Sequence, residues 1–314
     1  MAGVWVLAEQ RSMLLELVGE GRRLADSLGG AVTALVVDSR ELAQDALAYG
    51  ADGAVLLSLP EGQPLETAAG VLADLARQVE PDLILLGSTL RVKDLAARLA
   101  ALLDVGLATD AASLRLEGGA LVVERMVYGG GGVSTLALTS RPAMATVPGR
   151  SFPEPVRDPR IGEIREVAVP ADGRVRVVAR QARVAEGVDI AEAQTVVGVG
   201  RGLASQADLA MIDQLAALLN GAVGCTRPVA EDLGWLPEDR YIGISGRKVA
   251  PALYIGIAAS GQVQHVAGIK DARLVVAINK DENAPLFKYA DYGLVGDAYQ
   301  VVPALTAELK KLLG

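Results

Sequence analysis

Short apolar runs alternate with amphipathic stretches through the first hundred residues. The segments VWVL, AVTALVV, AVLLSL and LILLGS have the nearly continuous hydrophobicity of strands that are buried on both faces of a parallel sheet. Between these segments apolar residues recur at helical spacing, and the first helical face carries Leu14, Leu17, Val18, Leu24 and Leu28. This alternation predicts repeated strand–helix–strand units and therefore a parallel α/β domain.

The pattern changes after Leu103. The stretch LVVERMVYGGGGVSTLALTS predicts two alternating strands that add an antiparallel hairpin to the sheet, with glycines 129–132 as a flexible turn. Six prolines between residues 142 and 170 favour extended connections and edge structure over helix. We expect a last strand, RVRVVAR, to close the first domain, which we place at residues 1–186.

The alternation restarts in the remaining residues, 187–314. Strand-like segments TVVGVG, LYIGIAAS, RLVVAIN and GLVG are separated by helical stretches, one of which starts at Ser205. A final helix should begin at Pro303 and present a packing surface formed by Leu305, Leu309, Leu312 and Leu313. The expected fold class is α/β, with two tandem doubly wound domains built on mostly parallel sheets.

Composition and charge narrow the function. The 314 residues carry a net charge of -8, and a protein that binds nucleic acid needs a basic face, so we expect no nucleic-acid partner. A single cysteine, Cys225, and a single histidine, His265, cannot supply a disulfide, an iron–sulfur cluster or a zinc site, and we expect no metal. Neither a targeting peptide nor a membrane-spanning run is evident, which favours a cytoplasmic protein.

Three segments are candidates for a binding site. Glycines 198, 200 and 202 precede a capping box formed by Ser205 and Asp208, which suits either a bound phosphate or close packing of strand and helix. The segment YIGISGRKVAP offers the Ser245 hydroxyl but lacks the order of a hydrolase nucleophile elbow. Polar residues also follow two strands, in the crevice where doubly wound sheets bind ligands, although a capped turn with a half-buried histidine remains the alternative: Ser260, Gly261, Gln262, Gln264, His265 and Asn279.

The third segment, LYIGIAASGQVQHVAGIKDARLVVAIN at residues 253–279, closely resembles the signature of the electron transfer flavoprotein alpha subunit. Further similarity lies in VGVGRGL, AVGCTRPVAEDLGWLP, the VAP of residues 249–251 and NKDENAPLFKYADYGLVGDAYQVVPALTAEL. The resemblance spans nearly the whole chain and is most specific from about residue 195 onward. Two departures are Ile244, where many relatives have glutamine, and AASGQVQH in place of the more usual ISGAIQH.

This resemblance implies an electron carrier rather than a classical enzyme, with no catalytic residue of its own. It implies FAD bound in the second domain, and a heterodimer in which the first domain contacts an electron transfer flavoprotein beta subunit. Family members pass electrons from flavin dehydrogenases, such as acyl-CoA dehydrogenases, to an acceptor such as a quinone oxidoreductase, and some bifurcate electrons. Two alternatives remain open: an NAD-dependent enzyme of similar doubly wound fold, and a scaffold without a cofactor.

The resemblance also implies roles for individual residues. Arg201 and Gly202 would lie near the diphosphate or adenosine part of FAD, and Thr226 and Arg227 beside the isoalloxazine. The Ser245 hydroxyl would face flavin N5. Gln264 and His265 would lie at the pyrimidine edge of the flavin, with His265 toward O2. The remaining implied contacts are Gly246, Val249, Ala250, Ser260, Gly261, Asn279 and Asp291.

Overall fold

The computed structural model describes residues 3–128, 131–179 and 189–313. The chain divides into two compact units, residues 1–181 and residues 182–314. Both units are built on parallel sheets, as the alternation of apolar segments predicts. Within the described residues, no helix combines the length and hydropathy that crossing a membrane requires.

A seven-stranded parallel sheet forms the centre of the first unit, with strand order β10-β3-β2-β1-β4-β9-β5. Alternate residues of β1 enter different cores: Val4 and Val6 pack with helix α1, whereas Trp5 and Leu7 pack with helices α3 and α4. The sheet is therefore covered on both faces, as a doubly wound fold requires. Its elements are β1 (Val4–Leu7), α1 (Arg11–Leu28), β2 (Val32–Val37), α2 (Arg40–Ala48), β3 (Gly53–Ser58), α3 (Ala69–Val79), β4 (Leu83–Gly87), α4 (Leu90–Leu103), β5 (Leu107–Ala108), β9 (Ala143–Val147) and β10 (Ile164–Ala168).

The predicted hairpin forms, but it does not extend the parallel sheet. Strands β7 (Ala120–Val127) and β8 (Gly132–Leu138) pair antiparallel, and together with β6 (Ala111–Glu117) they make a separate three-stranded sheet. Leu121 and Val123 bury their side chains in the core on one face of the large sheet. The hairpin is thus held by packing, and the expected addition to the sheet was wrong. Of the predicted glycine turn, Gly129 and Gly130 lie outside the described residues.

Two further expectations for the first unit need correction. The segment after Pro142 is not only connection and edge, because β9 is completely buried between β4 and β5. RVRVVAR forms no strand over residues 174–179, where Val178 is 85% exposed; its last residue lies outside the described ranges. The edge of β3 is already paired with β10, which is the strand that completes the sheet.

The second unit contains a five-stranded parallel sheet with strand order β12-β11-β13-β14-β15. The chain moves outward from β11 to β12 and then crosses back to β13, so the strand order reverses between β11 and β13. In doubly wound folds ligands bind at such a reversal, beyond the carboxyl ends of the strands. The elements are β11 (Thr195–Val199), α5 (Leu209–Leu218), β12 (Ala222–Cys225), β13 (Leu253–Ile257), α6 (Val263–Val266), β14 (Val275–Asn279), β15 (Tyr292–Val295) and α7 (Ala298–Leu313).

Helix α7 begins earlier than predicted. The Asp297 carboxylate accepts a hydrogen bond from the Tyr299 amide at 2.9 Å and so caps the helix, which starts at Ala298, five residues before Pro303. Leu305 and Leu309 pack against the core of the unit, as expected. Leu312 is 80% exposed and does not.

One row of small residues runs straight across the second sheet. Neighbouring strands place these residues in register, and we call them the small-residue row: Gly224, Gly198, Gly256, Ala277 and Gly293. The space left by the missing side chains is filled by large ones. A Cβ on Gly198 would stand 2.0 Å from the Tyr254 hydroxyl, and one on Gly256 would stand 2.6 Å from Leu286. The row therefore lets Tyr254 lie flat against the sheet, completely buried.

Candidate functional site

A cavity of about 650 Å³ lies where β11, β13 and β14 end. Such a position is expected for the ligand site of a doubly wound sheet. Ten residues that the sequence predicts for the site line this cavity: Arg201, Gly202, Thr226, Arg227, Ser245, Ser260, Gly261, Gln264, His265 and Asn279.

The loops that follow β11 and β13 touch each other at the cavity. The amide of Gly200 donates to the Ile257 carbonyl at 2.9 Å, and the amide of Gly202 donates to the Ala258 carbonyl at 3.2 Å. A Cβ on Gly200 would stand 2.2 Å from the Ala258 oxygen. The sequence pattern allows two reasons for the glycines after β11, close packing or phosphate binding. The close approach of these two loops accounts for Gly200 and Gly202.

The side chain of Asn279 holds the loop after β13. Its Nδ2 donates to the Ala259 carbonyl at 2.8 Å, and its Oδ1 accepts from the Asp281 amide at 3.0 Å. In the same loop Gly261 has a φ of +76°, and a Cβ there would stand 2.4 Å from the Leu286 nitrogen. The shape of this part of the cavity is therefore fixed by backbone contacts that these two residue types permit.

His265 is buried at the cavity, with 6% of its surface exposed. Its Nδ1 lies 3.1 Å from the Ile242 carbonyl and its Nε2 lies 2.7 Å from the Tyr254 hydroxyl. A carbonyl only accepts, so Nδ1 carries the ring proton and Nε2 accepts from Tyr254. Burial lowers the pKa of His265 from 6.5 to about 4, which keeps the ring neutral. The histidine is buried rather than half-buried, and its position toward flavin O2 stays a prediction.

Two arginines bring positive charge to the cavity. The guanidinium of Arg227 is 62% exposed and forms an ion pair with Glu231 one helical turn later, with Nε 2.7 Å from the carboxylate. This hydrogen bond raises the pKa of Arg227. Arg201 is exposed and forms no ion pair within the part of the chain that the structure describes. Against these cations the lining contains the carboxylate of Asp281, so the cavity suits an anionic ligand.

Ser245 belongs to a segment that folds back along the end of β12. Its Oγ lies 3.0 Å from the hydroxyl of Tyr241, which is itself 6% exposed. The next residue toward the N-terminus, Ile244, is half exposed and donates its amide to the Gln264 carbonyl at 2.9 Å. The serine hydroxyl is thus brought to the cavity wall, and its contact with a flavin stays a prediction.

Four predicted residues do not line the cavity. Asp291 accepts from the amide of Val275, the first residue of β14, at 2.8 Å, which places it at the opposite edge of the sheet. Val249 is 2% exposed in the core, and the half-buried Ala250 follows it. Gly246 packs against Tyr241, and a Cβ on Gly246 would stand 2.4 Å from the backbone carbonyl oxygen of Tyr241. The structure does not bring these four residues together with the other ten, and their contacts with FAD stay predictions.

The cavity also contains Gly200 and Gln262, which the sequence pattern names as candidates, and seven residues that sequence reasoning missed: Pro228, Tyr241, Ile242, Ala258, Ala259, Asp281 and Ala284. Asn279 is identified from the sequence as a polar residue at the end of a strand. Asp281 lies two residues beyond the end of β14, so the same criterion would have found it. Tyr241 and Ile242 follow no strand of the sheet. They reach the cavity through a bridge between Tyr241 and Cys225 and a hydrogen bond from the Ile242 amide to the Cys225 carbonyl, which no local pattern indicates.

Comparison with known proteins gives a consistent result over both units. Residues 4–172 match the family described as electron transfer flavoprotein domain, and residues 189–270 match the electron transfer flavoprotein FAD-binding domain. The chain is 40% identical over 313 residues to YdiR of Escherichia coli (strain K12), covering 98% of each protein. It is 38% identical to the protein FixB of Clostridium saccharobutylicum, over 99% of this chain and 97% of that protein. FixB of Shigella flexneri is 38% identical over 98% of each protein.

Proposed function

Because the chain belongs to the electron transfer flavoprotein family, as a subunit of the alpha type whose cofactor is FAD, we propose that it carries electrons between redox proteins as half of a heterodimer. Its partner is an electron transfer flavoprotein beta subunit. Electrons enter from flavin dehydrogenases of the acyl-CoA dehydrogenase kind and leave to a quinone-linked oxidoreductase. The observation that carries the proposal is the cavity at the strand ends of the second unit.

The residues of this cavity fit FAD. A volume of about 650 Å³ lies within the usual range for sites of cofactors and drug-sized ligands. FAD carries a diphosphate, and the lining offers two guanidinium groups against one carboxylate. Hydroxyls and side-chain amides that suit the ribityl chain and the ring edges come from Thr226, Ser245, Ser260, Gln262 and Gln264.

Bound FAD supplies the electron transfer itself, and the protein supplies binding, orientation and electrostatics. Arg201 and the loop after β11 would hold the diphosphate. Arg227 would place its positive charge near the flavin ring, in competition with the carboxylate of Glu231. Ser245 would offer a hydroxyl toward N5. His265, buried at the cavity wall, would lie at the pyrimidine edge of the flavin, toward O2.

Exposed apolar side chains support the proposed heterodimer. Strand β15 lies at the edge of the second sheet and exposes Tyr292 by 65%, Leu294 by 45% and Val295 by 62%. Exposed apolar residues that lie next to one another are typical of interaction surfaces. Coexpression with a beta chain should therefore raise solubility and flavin content, and a stable flavin-saturated monomer at micromolar concentration would contradict the heterodimer.

The cofactor is tested by denaturing the purified complex and identifying the released flavin, which should be non-covalently bound FAD. Arg201→Ala should weaken FAD binding roughly tenfold, the loss expected for one charge-assisted hydrogen bond. The matched control is Arg273→Ala, which removes another exposed arginine of the same unit, just before β14 at the far edge of the sheet, and should leave the FAD affinity unchanged. Release of FMN, or of no flavin, would refute the proposal.

A further inference from the structure

We propose that Tyr241 is a positioning residue of this cavity: its hydroxyl holds the hydroxyl of Ser245 in one orientation toward a bound ligand. Both side chains line the cavity, and their oxygens lie 3.0 Å apart. Tyr241 consequently acts on a ligand through Ser245 rather than by direct contact. The part of this inference that concerns FAD rests on the proposed function.

The ring of Tyr241 lies against the turn that carries Ser245. A Cβ on Gly243 would stand 2.9 Å from the tyrosine hydroxyl, and one on Gly246 would stand 2.7 Å from the ring carbon Cδ1. The backbone closes around the ring: the Tyr241 carbonyl accepts from the Arg247 amide at 2.7 Å, and the Arg247 carbonyl accepts from the Gly243 amide at 3.1 Å. The turn is therefore built on the tyrosine, and glycine at both positions permits this close approach.

The tyrosine is fixed in place, whereas Ser245 by itself is not. Tyr241 is 6% exposed, forms a bridge with Cys225, and is followed by Ile242, whose amide donates to the Cys225 carbonyl at 2.9 Å. Ser245 is exposed, and a serine side chain has three staggered χ1 positions available to it. The bond to the buried tyrosine hydroxyl selects one of these positions.

The two hydroxyls have one proton each, and one of these protons lies in the bond between the oxygens. A phenol is more acidic than an aliphatic alcohol, so Tyr241 is the donor and Ser245 has its own proton available for a ligand atom that accepts. When a ligand atom instead carries a hydrogen, rotation of both hydroxyls reverses the bond and makes Ser245 the acceptor. The pair therefore suits an atom whose hydrogen-bonding role changes with its redox state, as that of flavin N5 does.

Urea unfolding of the full-length protein in the absence of FAD tests the bond between the two hydroxyls. Tyr241→Phe keeps the ring and removes the hydroxyl, Ser245→Ala removes its partner, and the fluorescence of Trp235 in a Trp5→Phe background reports the second unit. The two substitutions should not act independently: the double variant should raise the unfolding equilibrium constant about fivefold less than the product of the two single effects. Single effects that multiply without this deficit would overturn the proposal.

The potential of bound FAD tests whether Tyr241 acts through Ser245. In the FAD-loaded complex with a beta chain, Tyr241→Phe should shift the potential in the same direction as Ser245→Ala and by less, because the serine hydroxyl remains but is no longer held. In a Ser245→Ala background, Tyr241→Phe should leave the potential unchanged. The control Tyr289→Phe removes the hydroxyl of a tyrosine that is 53% exposed in the same unit, and should leave the potential of the otherwise unchanged protein unmoved.

The two measurements separate this inference from the proposed function. If FAD binds and the effect of Tyr241→Phe on the potential requires Ser245, the inference holds for the loaded cavity. If FAD binds and Tyr241→Phe leaves the potential unmoved, or shifts it equally with and without the serine hydroxyl, the inference is wrong while the proposed function stands. If FAD does not bind, the proposed function fails, and the unfolding of the free protein still decides whether Tyr241 holds Ser245.

Discussion

Replacing Gly198 by alanine should destabilise the second unit, because the added methyl carbon would stand 2.0 Å from the Tyr254 hydroxyl and 2.6 Å from its ring carbon Cζ. Overpacking of a tight core costs about 1–3 kcal/mol. If the ring moves away, its hydrogen bond to His265 is lost as well, which leaves buried polar groups unpaired at a further cost of about 1–3 kcal/mol. Alanine recovers about 0.4–1 kcal/mol by restricting the unfolded chain. With the ring displaced, the net loss should be about 1–6 kcal/mol.

Urea unfolding can follow this unit alone. The chain has two tryptophans, Trp5 in β1 and Trp235 in the second unit, so in a Trp5→Phe background the fluorescence of Trp235 reports the unit that contains Gly198. The control is Gly70→Ala in α3, where a Cβ meets no atom within 4 Å; read by Trp5, it should cause no loss of stability.

An unchanged urea midpoint and slope for Gly198→Ala would refute the reasoning. A second measurement identifies the atom that the methyl group displaces. In a Tyr254→Phe background the closest contact is absent, so the same alanine should cost less free energy than it does beside tyrosine. An equal cost in both backgrounds would show that the hydroxyl does not fill the space above Gly198.

Three further predictions concern the cavity. Arg227→Ala should lower the one-electron potential of bound FAD because a positive charge beside the flavin is removed. Glu231→Gln should raise it because the competing carboxylate is removed; an unmoved potential with FAD bound would refute the role of Arg227. Ser245→Ala should shift the potential by roughly tens of millivolts, the effect of one hydrogen bond, whereas a lower melting temperature with an unmoved potential would make Ser245 a turn residue. For His265 the unfolded chain takes up a proton near pH 6.5 and the folded chain only near pH 4, so stability should fall as the pH drops through this window, by up to about 3 kcal/mol. Urea titrations should show this fall in wild type and not in His265→Asn.

The sequence predicts the two parallel sheets well because strands buried on both faces leave continuous apolar runs, and the cavity lies where those runs end. Arg201, Ser260 and Asn279 are found for that reason. The sequence pattern does not reveal which polar groups are already paired. The bonding of His265 depends on Tyr254, eleven residues away on a strand, and on a carbonyl of a segment that reaches the cavity through a bridge to β12.

The errors in the first unit have a related cause. RVRVVAR has the alternation of a strand, but the sheet edge beside β3 is already paired with β10. The opposite error occurs at β9, where the flanking prolines suggest a connection and the structure has a buried central strand. Strand pairing is a property of the whole sheet, so local residue preference cannot decide between competing segments.

The pairing of β3 with β10 bears on how the chain is made in the cell. Strand β3 ends at Ser58, and its partner ends at Ala168, about 110 residues later. At roughly 5–20 residues per second, a ribosome leaves that edge without its partner for about 5–20 s. During this interval the backbone groups of β3 could pair with another nascent chain. We therefore expect the protein to aggregate most readily on polysomes, where several nascent copies of the chain are held close together on one messenger RNA.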